Sequence, residues 1–231
     1  MKRRYQVFCM MLAISTSIFA FDFSFAGGSL GVLIINNTVP ESAPNPVVTP
    51  IGGFAGFTLA EQSSSSQGFL FTPSLDILWL NYENREGRAI PTESEQGSGN
   101  NVFVIGLLLD LPVGYFFSFG PAVNENLLHR FSAGIFTGTS FLLRICFNGD
   151  TTEAYAEQME ENRKAVAQYL WDKGRWFYPM LGARFSVILQ ESFTFNISAK
   201  WYIPVFNLWT DTKPFLDASM LAIQLAMQVS L

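Results

Sequence analysis

The chain has 231 residues, of which 49% are hydrophobic and only 14% are charged, and its formal net charge is −5. Soluble domains usually carry about 25% charged residues, so this composition indicates contact with lipid or an unusually large core. A net negative chain lacks the electrostatic footprint that DNA or RNA binding needs, and we therefore expect no nucleic-acid partner.

A secretory signal peptide is predicted at residues 1–26. Three basic residues at positions 2–4 precede an apolar stretch at 7–21, and this order is typical of an export signal. The stretch is shorter than the ~20 residues of a spanning helix, although an uncleaved membrane anchor is the alternative. Small residues at the two recognition positions favour cleavage after Ala26, and a cut after Ala20 is the second choice.

The cysteine count argues against a small secreted domain that is held together by disulfides. Cleavage of the signal peptide removes Cys9 and leaves Cys146 as the only cysteine of the mature domain, residues 27–231. No intramolecular disulfide is then available to that domain.

Apolar residues alternate with polar or small residues in successive segments of the mature chain. At the C-terminus, apolar residues from Leu221 to Leu231 alternate with alanine, glutamine and serine. A period of two residues is that of a β-strand with one apolar face. The predicted strands cover residues 28–36, 51–59, 69–79, 103–111, 131–147, 181–189, 193–203 and 221–231.

These segments predict an all-β fold, a membrane-spanning antiparallel up-and-down β-barrel of about eight strands. Each segment is long enough for the ~9 to 11 residues that cross the hydrocarbon as a tilted strand. Closure of the sheet satisfies every backbone group without water. A soluble β-sandwich and a lipocalin-like soluble barrel are the alternatives. The aromatic region 112–129 either extends its neighbouring strands or contains a further hairpin. In the second case the barrel would have ten strands.

Long connections are predicted at the outer surface if the first strand starts at the periplasm. They are residues 37–50, 83–99, 148–174 and 207–216, whereas the connection at 190–192 is short, as periplasmic turns are. The third long connection contains a predicted helix at about residues 152–173, with a capping box at Asp150 and Glu153. A helix that rests on the barrel rim or the membrane surface is the preferred interpretation, and a lid or partner-binding helix is the alternative.

Charged residues inside the predicted strands all fall on the polar, inward-facing phase. A charge that faced lipid at mid-depth would cost about 2–4 kcal/mol, so this placement supports the assigned phase. We predict a charge network in the lumen, either as a structural plug of a bore only wide enough for side chains or as the lining of a narrow polar path. The predicted network comprises Asp76, Asp110, Arg144, Arg184 and Lys200.

Several large aromatic residues lie near predicted strand ends, where amphipathic rings settle at the membrane interface. The predicted membrane-interface aromatics are Trp79, Trp176, Tyr178, Trp201 and Trp209. We interpret them as anchors of the barrel rather than as a ligand cage.

Residues for catalysis or for a cofactor are not grouped in this sequence. The only histidine is His129, and no spacing places a serine or an acid beside it, so we predict no catalytic site and no enzyme. One histidine and one mature cysteine do not make a transition-metal site. Gly52, Gly53 and Gly56 lie in a strand pattern, where we expect them to relieve crowding rather than to bind phosphate. We therefore expect no cofactor and no metal.

The signal peptide, the alternating strands such as 193–203 and the C-terminal strand ending at Leu231 resemble those of small eight-stranded outer-membrane barrels, most nearly the OmpW-like group. Such barrels commonly end in an aromatic residue, whereas Leu231 is aliphatic. The resemblance implies a place in the bacterial outer membrane, with outer-membrane lipid and the barrel-assembly machinery as partners. It also implies a narrow channel or a route by which small, hydrophobic molecules enter. The alternative function is a surface-exposed adhesin or structural barrel whose loops bind host or matrix proteins.

Overall fold

The computed structural model describes residues 22–38, 43–59, 67–92, 101–122, 129–148, 156–190, 192–210 and 214–230. Most of the predicted signal peptide and the predicted capping box at Asp150 and Glu153 lie outside the described residues. Strands dominate the described chain, as the alternating pattern predicts.

The described secondary structure consists of β-strands, one longer helix and one short helix. The strands are β1 Asp22–Asn36, β2 Val47–Val48, β3 Ile51–Thr58, β4 Gln67–Phe71, β5 Ser74–Arg85, β6 Arg88–Thr92, β7 Asn101–Ala122, β8 His129–Asn148, β9 Phe177–Gln190, β10 Phe193–Tyr202 and β11 Ser219–Ser230. The helices are α1 Ala156–Trp171, which continues into a 3₁₀ turn at Asp172–Gly174, and α2 Asn207–Thr210.

Eight of these strands pair in a closed antiparallel ring. β1 pairs with β11 on one side and with β3 on the other, since Ser29 lies opposite both Ala226 and Gly52. The ring runs β1, β3, β5, β7, β8, β9, β10, β11 and returns to β1. A closed ring has no open edge, so its backbone groups pair without water. The predicted eight-stranded antiparallel barrel is confirmed.

The remaining short strands extend members of the ring. β2 pairs with β1 beyond the end of β3, and β4 pairs with β3 and β7, the same neighbours that β5 has. β6 returns along β5 through Glu86 and Gly87, which both have positive φ, as tight hairpin turns require. The aromatic region 112–129 extends its neighbours, because β7 runs to Ala122 and this residue pairs with His129. The ten-stranded alternative is therefore excluded.

Side chains alternate between a buried interior and an exposed apolar exterior. On β10, Asn196 and Lys200 are 3% and 5% exposed, whereas the intervening Ile197 is 43% exposed. A water-soluble sandwich or lipocalin-like barrel would bury its apolar strand face, so both soluble alternatives are excluded. Large apolar side chains are exposed on the outer face of other ring strands as well, including Leu30, Ile77, Ile145, Leu181 and Leu225. This distribution is that of a barrel whose exterior contacts lipid.

The interior of the barrel is filled by side chains. Part of it is an apolar cluster of inward-facing residues that includes Leu33, Leu78, Leu108, Leu142, Met180 and Met220. Crowding explains two of the three glycines that the sequence singled out. A Cβ at Gly52 would overlap the carboxylate of Asp76, and a Cβ at Gly56 would overlap the ring of Phe25. Gly53 meets no such obstacle, so crowding does not account for it.

Helix α1 rests on the barrel at the end that we call the mouth, where β5 joins β6 and β8 leads to β9. Its buried residues include Val166 and Leu170, which pack against Tyr82, Val102 and Val104. These three strand residues share the inward phase of β5 and β7, so α1 covers the lumen-side face of the extended wall. The predicted helix is thus confirmed at the rim. No helix in the described part of the chain is both long and apolar enough to span a membrane.

Candidate functional site

Three of the five predicted lumen charges form one buried ion cluster in the bore, Asp76, Asp110 and Lys200. The Lys200 ammonium lies 2.7 Å from Asp110 Oδ2 and 3.8 Å from Asp76 Oδ2. Lys200 is on β10, which stands opposite β5 in the ring of eight strands. Its side chain therefore bridges the bore from one wall to the other.

Hydrogen bonds from neighbouring strands complete this ion cluster. The Tyr202 hydroxyl donates to Asp110 Oδ2 at 3.0 Å, and Gln224 Nε2 donates to Asp76 Oδ2 at 2.8 Å. Ser29 Oγ donates to Asp76 Oδ1 at 3.0 Å. Buried carboxylates are tolerated when charge and hydrogen bonds compensate them, and both acids here, each 0% exposed, have that compensation. Of the described buried side-chain atoms, Asp110 Oδ1 is among the few without a hydrogen-bond partner.

Arg184 lies apart from the ion cluster and crosses the bore among aromatic rings. Its guanidinium carbon is 5.3 Å from the ring centre of Phe116, 5.8 Å from that of Phe136 and 5.9 Å from that of Phe54. The only hydrogen bond given by its guanidinium to a described side chain is to Thr72, at 3.5 Å. Within the described ranges, Arg184 forms these cation–π contacts and no ion pair. The bore is thus crossed at two places.

Arg144 lies at the mouth and belongs to neither of these groups. Its Nη1 donates to the carbonyl of Arg175 at 3.1 Å, and its Nη2 donates to the Tyr178 hydroxyl at 3.4 Å. The side chain of Arg144 lies on the inward face of β8 and is 7% exposed. Its depth along the barrel differs from that of the ion cluster, because alternation specifies the face of a strand but not the level at which side chains from different strands meet.

A cavity opens at the mouth beneath α1, and we call it the mouth cavity. Its charged lining consists of Arg88, Arg144, Arg175 and Asp217. Arg88 pairs with Asp217 at 2.9 Å. The sequence analysis missed Arg88, Arg175 and Asp217 because they lie in or beside predicted loops. No spacing in the sequence indicates that residues so far apart along the chain meet in one place.

The predicted interface aromatics divide into outward and inward side chains. Trp79 and Trp209 are 50% and 55% exposed, and Trp176 and Trp201 are partly exposed. The prediction was wrong for Tyr178, which is 1% exposed. Tyr178 lies an even number of residues before the inward-facing Arg184 on β9, so its side chain also points into the barrel.

Phenylalanines form a second outward aromatic belt, which the sequence analysis did not single out. They lie near the end of the barrel away from α1. Neighbouring rings there are 5.1–6.4 Å apart between centres, and the pairs include Phe23–Phe57, Phe69–Tyr115, Phe119–Phe131 and Phe131–Phe185. The signal was present in the number of phenylalanines, 23 in the chain.

The described residues also lack the geometry of a metal site. They contain no group of three or more histidine, cysteine, aspartate or glutamate residues that could hold a metal ion. His129 begins β8, and Cys146 is a free, partly buried thiol on the same strand.

The fold and its inside-out surface define a small membrane-spanning β-barrel of eight strands. No protein-family model matches the chain, and no curated protein matches it in sequence. Solved structures of small outer-membrane barrels are similar in fold. The attachment invasion locus protein Ail of Yersinia pestis, in complex with the heparin analogue sucrose octasulfate, is 10% identical with a TM-score of 0.45, and the match covers 91% of this chain and 100% of Ail.

Two further barrels show comparable similarity. Neisserial surface protein A (NspA) is 5% identical with a TM-score of 0.43, over 92% of this chain and 99% of NspA. The outer membrane protein OprG from Pseudomonas aeruginosa is 8% identical with a TM-score of 0.39, over 91% and 94% of the two chains.

Proposed function

We propose that this protein is a bacterial outer-membrane barrel that holds its bore closed and binds partners at a cell-surface mouth. Its place in the membrane is supported by the exposed apolar band on every ring strand, which would be unfavourable in water. The orientation is supported by the size of the connections. The mouth carries α1 and the β5–β6 hairpin, whereas β9 and β10 are joined by a tight turn at the other end.

The observation that carries this proposal is the Lys200 bridge across the bore. Its ammonium reaches Asp110 and Asp76 on the far wall, and all three groups are 0–6% exposed at their side chains. Arg184 crosses the bore separately. A hydrated solute could pass only by breaking this buried ion cluster. The narrow bore has little room for water that would solvate the separated charges.

The mouth provides an ordered surface for a macromolecular partner. α1 is held down by Met159, Val166 and Leu170, which are at most 5% exposed. Its opposite face is polar, and Glu157, Glu161, Lys164 and Gln168 on it are exposed. A host or matrix protein is the partner class that fits a solvated face held at the end of a rigid barrel.

Conductance and binding measurements test this function together. Mature protein refolded in detergent, and checked by heat-modifiable gel migration, should give no steady conductance in planar bilayers. Cells that display it should bind a host-matrix protein panel, and simultaneous replacement of Glu157, Glu161 and Lys164 by serine should reduce that binding. A steady open conductance in the wild-type barrel would overturn the closed-bore proposal.

A second candidate function is a gated route by which small, hydrophobic molecules enter. It is favoured by a second cavity inside the barrel, whose lining includes Lys200 and Arg184 and which lies between these two bridging side chains. Uptake of an apolar dye into liposomes, without electrical conductance, would support this route. Liposomes that contain the barrel but take up dye at the rate of empty liposomes would exclude it.

Export of the chain is part of the same proposal, and we infer cleavage after Ala20 rather than Ala26. β1 begins at Asp22, and a cut after Ala26 would remove its first five residues. One of these is Phe25, which is 6% exposed and packs against Phe54 at 6.2 Å between ring centres. The intact mass of the mature protein distinguishes the two cuts directly. An intact mass that corresponds to a chain beginning at Gly27 would contradict the inference.

A further inference from the structure

We propose that the mouth cavity binds one tetrahedral oxyanion, such as a phosphate or sulfate group, against the guanidinium of Arg144. The inference rests on the proposed function only in that the mouth must face the outside of the cell. It adds a ligand class that the partner-binding surface of α1 does not specify.

Arg144 carries a buried positive charge that no described carboxylate compensates. The residue is 7% exposed, and its partners in the structure are the Arg175 carbonyl and the hydroxyls of Tyr82 and Tyr178. All three are neutral. None of the carboxylates in the described ranges forms an ion pair with Arg144. A buried guanidinium without a counterion is unfavourable, and a bound anion would supply that counterion.

Asp217 lines the same cavity but cannot serve as the counterion of Arg144. One carboxylate oxygen accepts a hydrogen bond from Arg88 at 2.9 Å. The other accepts from the backbone N–H of Thr38 at 2.7 Å and from its hydroxyl at 3.2 Å. The carboxylate is therefore engaged on the other side of the cavity, and it neutralises Arg88 instead.

The chemistry of the cavity lining also favours an oxyanion. Besides Arg144 it contains Arg175, whose guanidinium stacks on the Tyr169 ring at 3.9 Å from the centroid and donates to the Tyr169 carbonyl. With Arg88 and Asp217 included, the charged lining carries a net positive charge in a chain whose overall charge is −5. Planar guanidinium groups bind oxyanions through paired N–H donors, which favours phosphate or sulfate over a halide.

The size of the cavity limits the ligand to one small group. Its volume is about 40 Å³, whereas one water needs roughly 10–15 Å³ on this measure. There is room for a few waters or for one oxyanion in their place. A larger molecule would have to present its phosphate or sulfate group at the mouth and keep the rest of its structure outside.

A tryptophan is hydrogen-bonded to the backbone of Arg144 and serves as a reporter for this site. The indole Nε1 of Trp171 donates to the carbonyl of Arg144 at 3.0 Å, so its ¹⁵N and ¹H resonances should shift when an anion binds. The protein would be labelled at tryptophan, refolded in non-ionic detergent, and titrated with inorganic phosphate and with phenyl phosphate. We expect a saturable shift of the Trp171 indole with at least one probe.

Variants assign the binding to Arg144. Arg144→Gln should weaken the affinity at least tenfold, because the charge-assisted hydrogen bonds to the anion are lost. Arg163→Gln is the matched control: this arginine is on α1 but pairs with Glu160 and does not line the cavity. If Arg144→Gln does not refold, Arg175→Gln tests the same cavity and should weaken binding severalfold.

The outcomes separate the possible sources of the anion. Saturation by inorganic phosphate supports a free oxyanion, and saturation by phenyl phosphate alone supports an oxyanion carried on a larger molecule. No saturable shift with either probe, or equal affinity in wild type and Arg144→Gln, would overturn the inference. Such a failure leaves the closed bore untouched, whereas open conductance with intact phosphate binding would overturn the proposed function alone.

Discussion

Buried charge is compensated by opposite charge in the ion cluster of the bore but not in the mouth cavity. In the bore, Lys200 is placed between Asp76 and Asp110, and the two acids accept hydrogen bonds from Tyr202 on the same strand as Lys200 and from two further strands, β1 and β11. At the mouth, Arg144 is almost as buried but has only neutral partners among the described residues. The compensated ion cluster links opposite walls of the barrel. The buried guanidinium of Arg144 has no counterion, and a bound anion could supply one.

Lys200→Met should produce the largest effect, because it removes the cation from the compensated cluster. Asp76 and Asp110 would then remain buried without a counterion, and we expect the free energy of unfolding to fall by about 3–5 kcal/mol. Urea unfolding in detergent micelles, followed by tryptophan fluorescence and gel migration, measures the change. Lys164→Met is the control, since that lysine is 69% exposed on α1.

The same cluster offers a test of compensation itself. The triple variant Lys200→Met, Asp76→Asn, Asp110→Asn removes both the cation and the two anions, so it should recover part of the stability that the single variant loses. A single variant within about 1 kcal/mol of wild type would mean that the three groups are not charge-coupled in the folded barrel.

Leu225→Arg addresses the lipid-facing exterior and should have the next largest effect. Leu225 is 48% exposed near the middle of β11, and an arginine there would face the hydrocarbon at a cost of about 2–4 kcal/mol. Leu208→Arg is the matched control, because Leu208 is 67% exposed on α2 at the mouth. Both leucines are exposed, and the difference that matters is that Leu225 faces hydrocarbon in the proposed membrane band. Equal unfolding free energies for the two variants would contradict the assigned membrane band.

Gly52→Ala tests how tightly the interior around the ion cluster is packed. The added Cβ would overlap the Asp76 carboxylate and the Leu75 carbonyl, and overpacking of this kind costs about 1–3 kcal/mol. Gly53→Ala, one residue along on the outward face, should change the unfolding free energy by less. Equal unfolding free energies for Gly52→Ala and Gly53→Ala would show that the groups around Gly52 move to accommodate the added Cβ.

The sequence predicted the faces of the strands well and the meeting points of side chains poorly. Alternation assigned Asp76, Asp110 and Lys200 to the interior, because a period of two is a local property of the chain. That Arg144 does not join them depends on strand tilt and stagger, which no local pattern contains. Tyr178 was misassigned because its nearness to a strand end was given more weight than its phase relative to Arg184.

The mouth was less predictable than the barrel for a related reason. Arg88 and Asp217 are 129 positions apart along the chain and meet through a hairpin and a long connection. The helix itself was predictable from composition, and its observed bounds, Ala156–Trp171, fall within the predicted range. The face that the helix buries was not predictable, because it depends on the inward-facing Val102 and Val104 of a strand elsewhere in the sequence.

Glu160→Gln tests a third kind of charge, the exposed ion pair, and should have the smallest effect. The hydrogen bond from Arg163, with its positive charge and that of Lys164, lowers the pKa of Glu160 from 4.5 to about 2. A lowered folded-state pKa means that the contribution of the pair is present above pH 4.5 and is lost as the pH falls toward 2.

Because the Glu160 side chain is 38% exposed, solvent screens the pair, and the variant should unfold at nearly the wild-type urea concentration at pH 7. Any difference should narrow further as the pH is lowered to 3, with Glu157→Gln on the same helix as the control. A large loss at pH 7 would mean that the helix α1 itself depends on this intrahelical pair, in addition to the packing of Val166 and Leu170 against the barrel. The helix above the mouth cavity would then lose stability as the pH falls, and the anion affinity of the cavity should fall over the same pH range.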